Sequence, residues 1–236
     1  KIPVLIIKPG ILAFYSPHIL ADKHQHAALQ LVWPGTQGHW QLNTEKGTGP
    51  LLIAPQAEHD LAAEHCWIIL LEPLSVAGKH ALQHMNGQLS VSLPGPASAA
   101  DSTELLAALS HLLGLDKQAF NLQITDSRLL RLQQQLDQCF NGGCIKPSQW
   151  RARDIAAGLA LSESRFLHLF REQMHMPWRP YLLWRRLLCA VQALHQGKSA
   201  TNAAQDAGFA DSAHLSRTFR RHFGLSVREA VQLARN

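Results

Sequence analysis

The chain has 236 residues, of which 46% are hydrophobic and 17% are charged, a composition typical of globular rather than disordered proteins. No run of eighteen apolar residues occurs, so no membrane-spanning helix is expected. The four cysteines form no CxxC pair, which disfavours a zinc ribbon and favours reduced thiols in a cytoplasmic protein. Residues 1–125 carry a net charge of −3 (6 Lys and Arg, 9 Asp and Glu), and residues 126–236 carry +8 (16 against 8). This difference in net charge indicates that the C-terminal half binds a polyanion.

The first hundred residues predict short strands separated by turns. Apolar or alternating runs are interrupted by Gly and Pro, for example at Pro34 and Gly35 and within 47–50. Such spacing is typical of a small antiparallel β-barrel or β-sandwich. The predicted strands cover residues 4–7, 11–15, 29–33, 39–43, 51–54 and 67–71.

A helix is predicted over residues 102–113, after a stretch of polar and small residues. Its leucines recur near helical spacing, and Gly114 follows as a natural stop. A leucine stripe of this kind either packs into the core of its own chain or forms a contact between two copies. Both interpretations stay open from the sequence, and the second makes the protein a homodimer.

From residue 126 onward the hydrophobic period is that of α-helices. Residues that commonly cap helices precede several of these segments, among them Ser162, Ser199 and either Asp211 or Ser212. Pro177 precedes the longest segment. The predicted helices cover residues 126–140, 148–159, 163–174, 178–194, 199–207, 212–223 and 227–234.

The helical half contains an internal repeat. A pair of small residues four apart and an apolar pair four apart occur twice, and each copy predicts a short helix, a tight turn and a second, capped helix. This is the pattern of a helix-turn-helix. The corresponding positions are Ala156 and Ala204, Ala160 and Gly208, Phe166 and Leu215, and Phe170 and Phe219. Two copies joined by a long helix predict recognition helices that enter successive major grooves, about 34 Å apart.

The two predicted recognition helices are residues 162–173 and 212–222, and each has a polar, basic face opposite its apolar one. Arginine can bond guanine through two nitrogens, and other basic side chains hold phosphates. The predicted DNA-binding residues are Ser164, Arg165, Leu167, His168 and Arg171 in the first helix, and Ala213, His214, Ser216, Arg217, Arg220 and Arg221 in the second.

Segments 154–170, 181–190 and 203–224 resemble the DNA-binding domain of the AraC/XylS family of transcription regulators. The resemblance implies base contacts from Ser164, Leu167 and His168 in the first helix and from Ala213, His214 and Arg217 in the second. Of these, only Arg217 has a side chain suited to strong direct contact with a base. The sequence departs from the family pattern at His175, where Gly is common, and at Val227, where Pro is common. His tolerates a left-handed backbone better than most residues.

The N-terminal half more weakly resembles the cupin-like sensory barrel found in this family. Its strand-rich region holds the pair His24-x-His26 and, after a later strand and turn, His59. If His24 and His26 lie on one strand, their rings share a face. Three imidazoles suit a divalent metal such as zinc. Gln30 lies near the position where cupin metal sites have a Glu.

Three interpretations of the N-terminal half stay open: a metal effector, a small organic effector, or no ligand. Nine histidines occur in this half, so ordinary polar use of His also explains the pattern. A cupin-type metalloenzyme is the least supported alternative, because no acid–base pair, nucleophile elbow, P-loop or dinucleotide fingerprint is present.

The sequence therefore predicts an α+β protein of two domains, and not an enzyme. Residues 1–100 form a cupin-like effector-sensing domain, 101–125 a helix and linker, and 126–236 an all-α domain with two helix-turn-helix units. The predicted partners are double-stranded DNA, a small-molecule or metal effector, a second copy of the chain and RNA polymerase. Whether the regulator activates or represses is left open.

Overall fold

The structure is a computed structural model that describes residues 5–98, 104–116, 119–120, 123–141 and 150–233. The chain divides into two compact units. Lys1–Phe120 and Thr218–Asn236 form one, called here the strand unit, and Asn121–Arg217 forms the other, the helical unit. The predicted domain limits stay a prediction. They differ from these units mainly at the C-terminal end, where residues from 218 onward group with the strands.

One antiparallel sheet of seven described strands dominates the strand unit. Its order is β1-β2-β6-β3-β5-β7, with β4 paired to β3. Among the described residues β1 and β7 do not pair with each other, so the sheet is open where a closed barrel was the expectation. The strands are β1 (Leu5–Lys8), β2 (Ile11–His24), β3 (Leu29–Leu42), β4 (Glu45–Gly47), β5 (Leu51–Ile53), β6 (His59–Leu71) and β7 (Ser90–Ser92).

The turn predicted at Pro34 and Gly35 is wrong, because β3 continues through both residues. The pairing of β3 with β6 shifts register between Pro34 and His39. Proline is tolerated at such an irregularity because no ladder hydrogen bond is needed from its nitrogen. Gly38 belongs to the same bulge, where a Cβ would lie 2.5 Å from His65 O. The bulge thus lets one long strand replace the two short ones predicted.

Two helices pack in the core of the strand unit, α1 (Val76–Met85) and α2 (Leu105–Leu113). Helix α1 is not among the predicted elements; the Ser75 side chain caps it by accepting a hydrogen bond from Gly78 N at 3.0 Å. In α2, three leucines are buried in the same core as the sheet. The predicted leucine stripe is therefore used within the chain, and a homodimer contact there stays a prediction.

The helical unit contains helices whose limits agree closely with the predicted ones except at α4, which begins at Ala152, whereas the predicted start at residue 148 lies outside the described residues. They are α3 (Ser127–Asn141), α4 (Ala152–Gly158), α5 (Glu163–Met174), α6 (Trp178–His195) and α7 (Ala200–Asp206). Helix α8 (Ser212–Phe223) begins in this unit and ends in the strand unit, which also holds α9 (Val227–Leu233). No helix in the described part of the chain is long and apolar enough to cross a membrane.

Aromatic rings form the core of the helical unit. Phe170 contacts Trp178 at a ring-centroid distance of 5.0 Å and Tyr181 at 5.1 Å, both edge to face, the arrangement that aromatic pairs prefer. Cys189, on α6, is disulfide-bonded, so the prediction of four reduced thiols is wrong.

Candidate nucleic-acid interface and histidine cluster

Helices α4 and α5 form the first helix-turn-helix. Its turn contains Ala160 in the left-handed conformation, at φ 55°, and Leu161 N donates to Ala156 O at 2.9 Å. The Ser162 hydroxyl accepts a hydrogen bond from Arg165 N at 3.2 Å. This is an N-cap, which satisfies a backbone donor that the helix itself leaves free.

The second helix-turn-helix, which α7 and α8 form, repeats these features. Gly208 is left-handed at φ 78°, and Phe209 N donates to Ala204 O at 2.8 Å. The cap of α8 is Asp211, whose carboxylate accepts from His214 N at 2.6 Å. The repeat inferred from sequence spacing is therefore also a repeat of backbone conformation and hydrogen bonding.

The C-terminal ends of the two recognition helices correspond as well. His175 closes α5 at φ 55°, ψ 21°, and Gly224 follows α8 at φ 76°. Both residues are left-handed, which is the usual helix-ending conformation. His175 thus adopts the conformation that glycine adopts in the second copy, as its tolerance of this region predicts.

The predicted DNA-binding side chains all lie on exposed surface. The apolar pair Phe166 and Phe170 is buried in α5, and Leu215 and Phe219 are buried in α8. The exposed faces opposite them hold Ser164, Arg165, Leu167, His168 and Arg171 on α5, and Ala213, His214, Ser216, Arg217, Arg220 and Arg221 on α8. Each face is thus free to meet a ligand while its opposite face fixes the helix.

Arg186 on α6 holds the turn of the second helix-turn-helix. Its Nε donates to Ala207 O at 2.9 Å, and its Nη2 donates to Gly208 O. The guanidinium carbon also lies 4.3 Å from the centre of the Phe209 ring. Burial lowers the pKa of Arg186, which nevertheless stays charged. This role was not predicted, although an arginine within an otherwise apolar helix face is a signal for it.

The last turn of α8 belongs to the strand unit and is bonded to the β2–β3 loop. Ala27 N donates to Arg221 O at 2.8 Å, and Ala28 N donates to His222 O at 3.0 Å. His222 Nε2 also lies 3.5 Å from a buried carboxylate oxygen of Glu72. Burial lowers the pKa of His222 to about 4. These bonds attach the end of a recognition helix to the loop that follows His24.

A cavity of about 590 Å³ lies in the strand unit beside this attachment. Apolar side chains such as Phe14 and Leu70 line it together with Arg220 and Glu229. Arg220, predicted to contact DNA, therefore also faces this cavity.

His24, His26 and His59 come together in the strand unit. One ring nitrogen of each lies within 4.8 Å of those of the other two. The prediction that His24 and His26 share a strand is wrong, since β2 ends at His24 and His26 lies in the following loop. The cluster forms because His24 is paired with His59 across β2 and β6, while the loop folds His26 back beside them.

Each of the three rings is oriented by a backbone carbonyl. Nδ1 lies 2.7 Å from Asp22 O in His24, 2.9 Å from Ala28 O in His26 and 2.8 Å from Ala57 O in His59. A carbonyl only accepts hydrogen bonds, so each Nδ1 carries a proton. In a neutral ring the remaining nitrogen, Nε2, then carries a lone pair.

Burial keeps two of the rings neutral. It lowers the pKa of His26 to about 4, against the opposing effect of hydrogen bonds that the Gln30 and Ala28 oxygens accept, and it lowers the pKa of His59. His26 Nε2 lies 2.8 Å from Gln30 Oε1. Because an amide oxygen only accepts hydrogen bonds, a lone pair on this Nε2 requires the Gln30 amide to turn its NH2 group toward the ring. His59 Nε2 is buried and has no hydrogen-bond partner among the described residues, an uncommon state for a buried polar atom.

Residues 155–232 match the sequence profile of a family described as "Helix-turn-helix domain". This region is an AraC-type helix-turn-helix domain. The family resemblance inferred from the sequence is thereby confirmed, and the chain is a DNA-binding transcription regulator.

Several solved regulators are similar to the chain at low identity. ToxT from Vibrio cholerae O395 is 11% identical, over 95% of this chain and 96% of its own, with a TM-score of 0.39. An AraC-type regulator from Chromobacterium violaceum is 25% identical, over 46% and 96%, with a TM-score of 0.36. A DNA-binding transcriptional dual regulator from Escherichia coli K-12 is 21% identical, over 42% and 88%, with a TM-score of 0.35. A comparison with curated proteins finds no match.

Proposed function

We propose that this regulator binds a specific DNA sequence by placing α5 and α8 in successive major grooves, and that a ligand of the strand unit controls this binding. The observation that carries the proposal is the duplicated helix-turn-helix. Both copies have a left-handed turn residue, the same backbone bond across the turn, and a capped recognition helix with an exposed polar face. Two recognition helices on one chain suit two half-sites about 34 Å apart.

Within the proposal, α8 supplies most of the direct sequence recognition. Arg217 is exposed on its outer face and can donate two hydrogen bonds to guanine O6 and N7. His214, one turn earlier, is held by a hydrogen bond from Ala210 N to its Nδ1 at 3.4 Å, which leaves Nε2 to face a base. In α5, Ser164, Leu167 and His168 offer weaker hydrogen-bonding groups, while Arg165 and Arg171 suit phosphates.

Selection of bound sequences from a random DNA library, followed by titration of the selected site, tests the proposal. Wild-type protein should select two conserved half-sites one helical turn apart. Arg217→Ala should weaken binding by about 1–3 kcal/mol and relax the preference at a single base pair. Arg228→Ala, which removes an exposed arginine from α9, is the matched control and should leave that preference unchanged. Equal loss of affinity for all sequences in Arg217→Ala would contradict direct base contact.

The strand unit is the proposed effector site, because both the cavity and the histidine cluster lie in it. The hydrogen bonds between the β2–β3 loop and the last turn of α8 connect the effector site to a recognition helix. We further propose that the protein acts as a homodimer, engages RNA polymerase and has no catalytic activity. Gel filtration with light scattering tests the first of these statements directly.

A further inference from the structure

We propose that His24, His26 and His59 bind one divalent transition-metal cation through their Nε2 atoms, and that the bound ion controls DNA binding by fixing the end of α8 on the β2–β3 loop. This inference rests on the proposed function, since it names the effector of the strand unit. It rests on three observations: the donor set, the orientation of the rings, and the contact between the cluster and Gly224.

The donor set is that of a borderline metal such as zinc. Three neutral imidazole nitrogens are a common ligand set for a zinc ion that keeps a further coordination position open. The ring nitrogens lie within 4.8 Å of one another, so movements of the side chains that also release His26 Nε2 from Gln30 bring all three to one ion. His26 and His59 are almost completely buried, and a bound ion would give His59 Nε2 the partner that it lacks among the described residues.

The orientation of the rings is that of metal-binding histidines. Such residues almost always donate the hydrogen of the nitrogen that does not bind the metal to a carbonyl or carboxylate. All three rings do so here, through Nδ1 to the carbonyls of Asp22, Ala28 and Ala57. Histidines that serve only as solvated polar residues do not require a carbonyl to orient the same nitrogen of all three rings.

The contact with Gly224 connects the cluster to the recognition helix. A Cβ on this residue would lie 2.7 Å from His26 Cδ2 and 3.0 Å from His24 Cδ2. The loop that carries His26 also donates the two hydrogen bonds to the carbonyls of Arg221 and His222. An ion that fixes His24 and His26 therefore stiffens the same loop that holds the last turn of α8. A ligand that binds more tightly to one state of α8 shifts the protein toward that state. By linkage, such a ligand alters the affinity of the protein for DNA.

Metal binding is tested by titration of the full chain, freed of metal with a chelator, with Zn²⁺ and with Co²⁺. We expect one ion per chain and a visible Co²⁺ spectrum typical of nitrogen ligands in a site of low coordination number. His59→Ala and the double variant His24→Ala/His26→Ala should weaken binding at least about a hundredfold, with unchanged circular dichroism. An absence of binding, or binding that these variants retain, overturns the site.

Gly224→Ala tests the connection to α8, because Gly224 is a positioning residue and not a ligand. Its methyl group should displace the His24 and His26 rings and weaken Zn²⁺ binding about tenfold or more. Gly87→Ala is the matched control: Gly87 has φ +77° against +76° for Gly224, but a Cβ there meets nothing within 4 Å. Equal effects of the two substitutions on Zn²⁺ binding would show that Gly224→Ala acts only through backbone strain. That result would overturn the connection between the cluster and α8.

DNA affinity of the wild-type protein is then compared in the metal-free and zinc-loaded states, on the selected site and at fixed salt. At least a fivefold difference between the states is expected, and DNA should change the Zn²⁺ affinity by the same factor. Specific binding that is identical in both states overturns metal control and leaves the proposed DNA-binding function intact. Absence of specific binding in both states would count against the proposed function itself. A response to an organic ligand alone, without metal binding, would also overturn the inference.

Discussion

At the scale of single residues, the two helix-turn-helix copies differ in how they accommodate a left-handed turn. Ala160 and Gly208 occupy equivalent positions with φ of 55° and 78°. A residue with a Cβ carries a steric cost in this conformation, whereas glycine carries none. The first turn is therefore slightly strained, and the second is relaxed.

Exchange of these residues should alter stability in opposite directions. Gly208→Ala should lower the free energy of unfolding by about 1 kcal/mol. Ala160→Gly should raise it by less than about 1 kcal/mol, because the greater freedom of glycine in the unfolded chain offsets part of the gain. Thermal unfolding followed by circular dichroism measures both. A loss of stability of the same size in both variants would show that the turns are not equivalent.

At the scale of elements, helix α6 does more than connect the two helix-turn-helix copies. Its aromatic residues Trp178 and Tyr181 pack against Phe170 of α5. Arg186, farther along the same helix, bonds the carbonyls at the end of α7. One helix thus holds both copies of the motif through different residues.

Loss of the Arg186 contacts should disorganise the second copy. Arg186→Ala removes two charge-assisted hydrogen bonds and the packing on Phe209, so we expect a loss of about 2–4 kcal/mol in stability. Arg186→Lys should recover only part of it, since an ammonium cannot bond both carbonyls in the planar geometry of a guanidinium. Arg179→Ala removes an exposed arginine from the same helix and is the control. Urea unfolding compares the three variants, and equal stability of Arg186→Ala and Arg179→Ala would contradict the role.

At the scale of the whole molecule, charge is separated along the chain, with +8 on residues 126–236 and −3 on residues 1–125. Binding of a basic surface to DNA releases counterions from the phosphates, so the affinity falls steeply as salt rises. Arg171 is exposed near the end of α5, where a phosphate contact is expected to add to this electrostatic attraction.

Arg171→Ala should weaken binding to all sequences to a similar extent. The slope of log affinity against log salt should become shallower by about 1, the value for one phosphate contact. Binding of wild-type and variant protein to the selected and to an unrelated sequence, at several salt concentrations, measures this. A loss confined to the selected sequence would instead indicate that Arg171 contacts a base.

The amino-acid sequence determined the C-terminal helices and their duplication, because local signals specify them. Caps such as Ser162, apolar pairs such as Phe166 and Phe170, and turn residues such as Gly208 each act within a few residues of the chain. The strands were less completely predicted, since Pro34 suggests a turn and only the register with β6 shows that β3 passes through it.

The three histidines were identified from their spacing, but the expectation that His26 shares a strand with His24 was wrong. Only the tertiary structure decided the pairing of His24 with His59, the carbonyl that orients each ring, and the approach of Gly224, because these contacts join residues far apart in the chain that no local pattern relates.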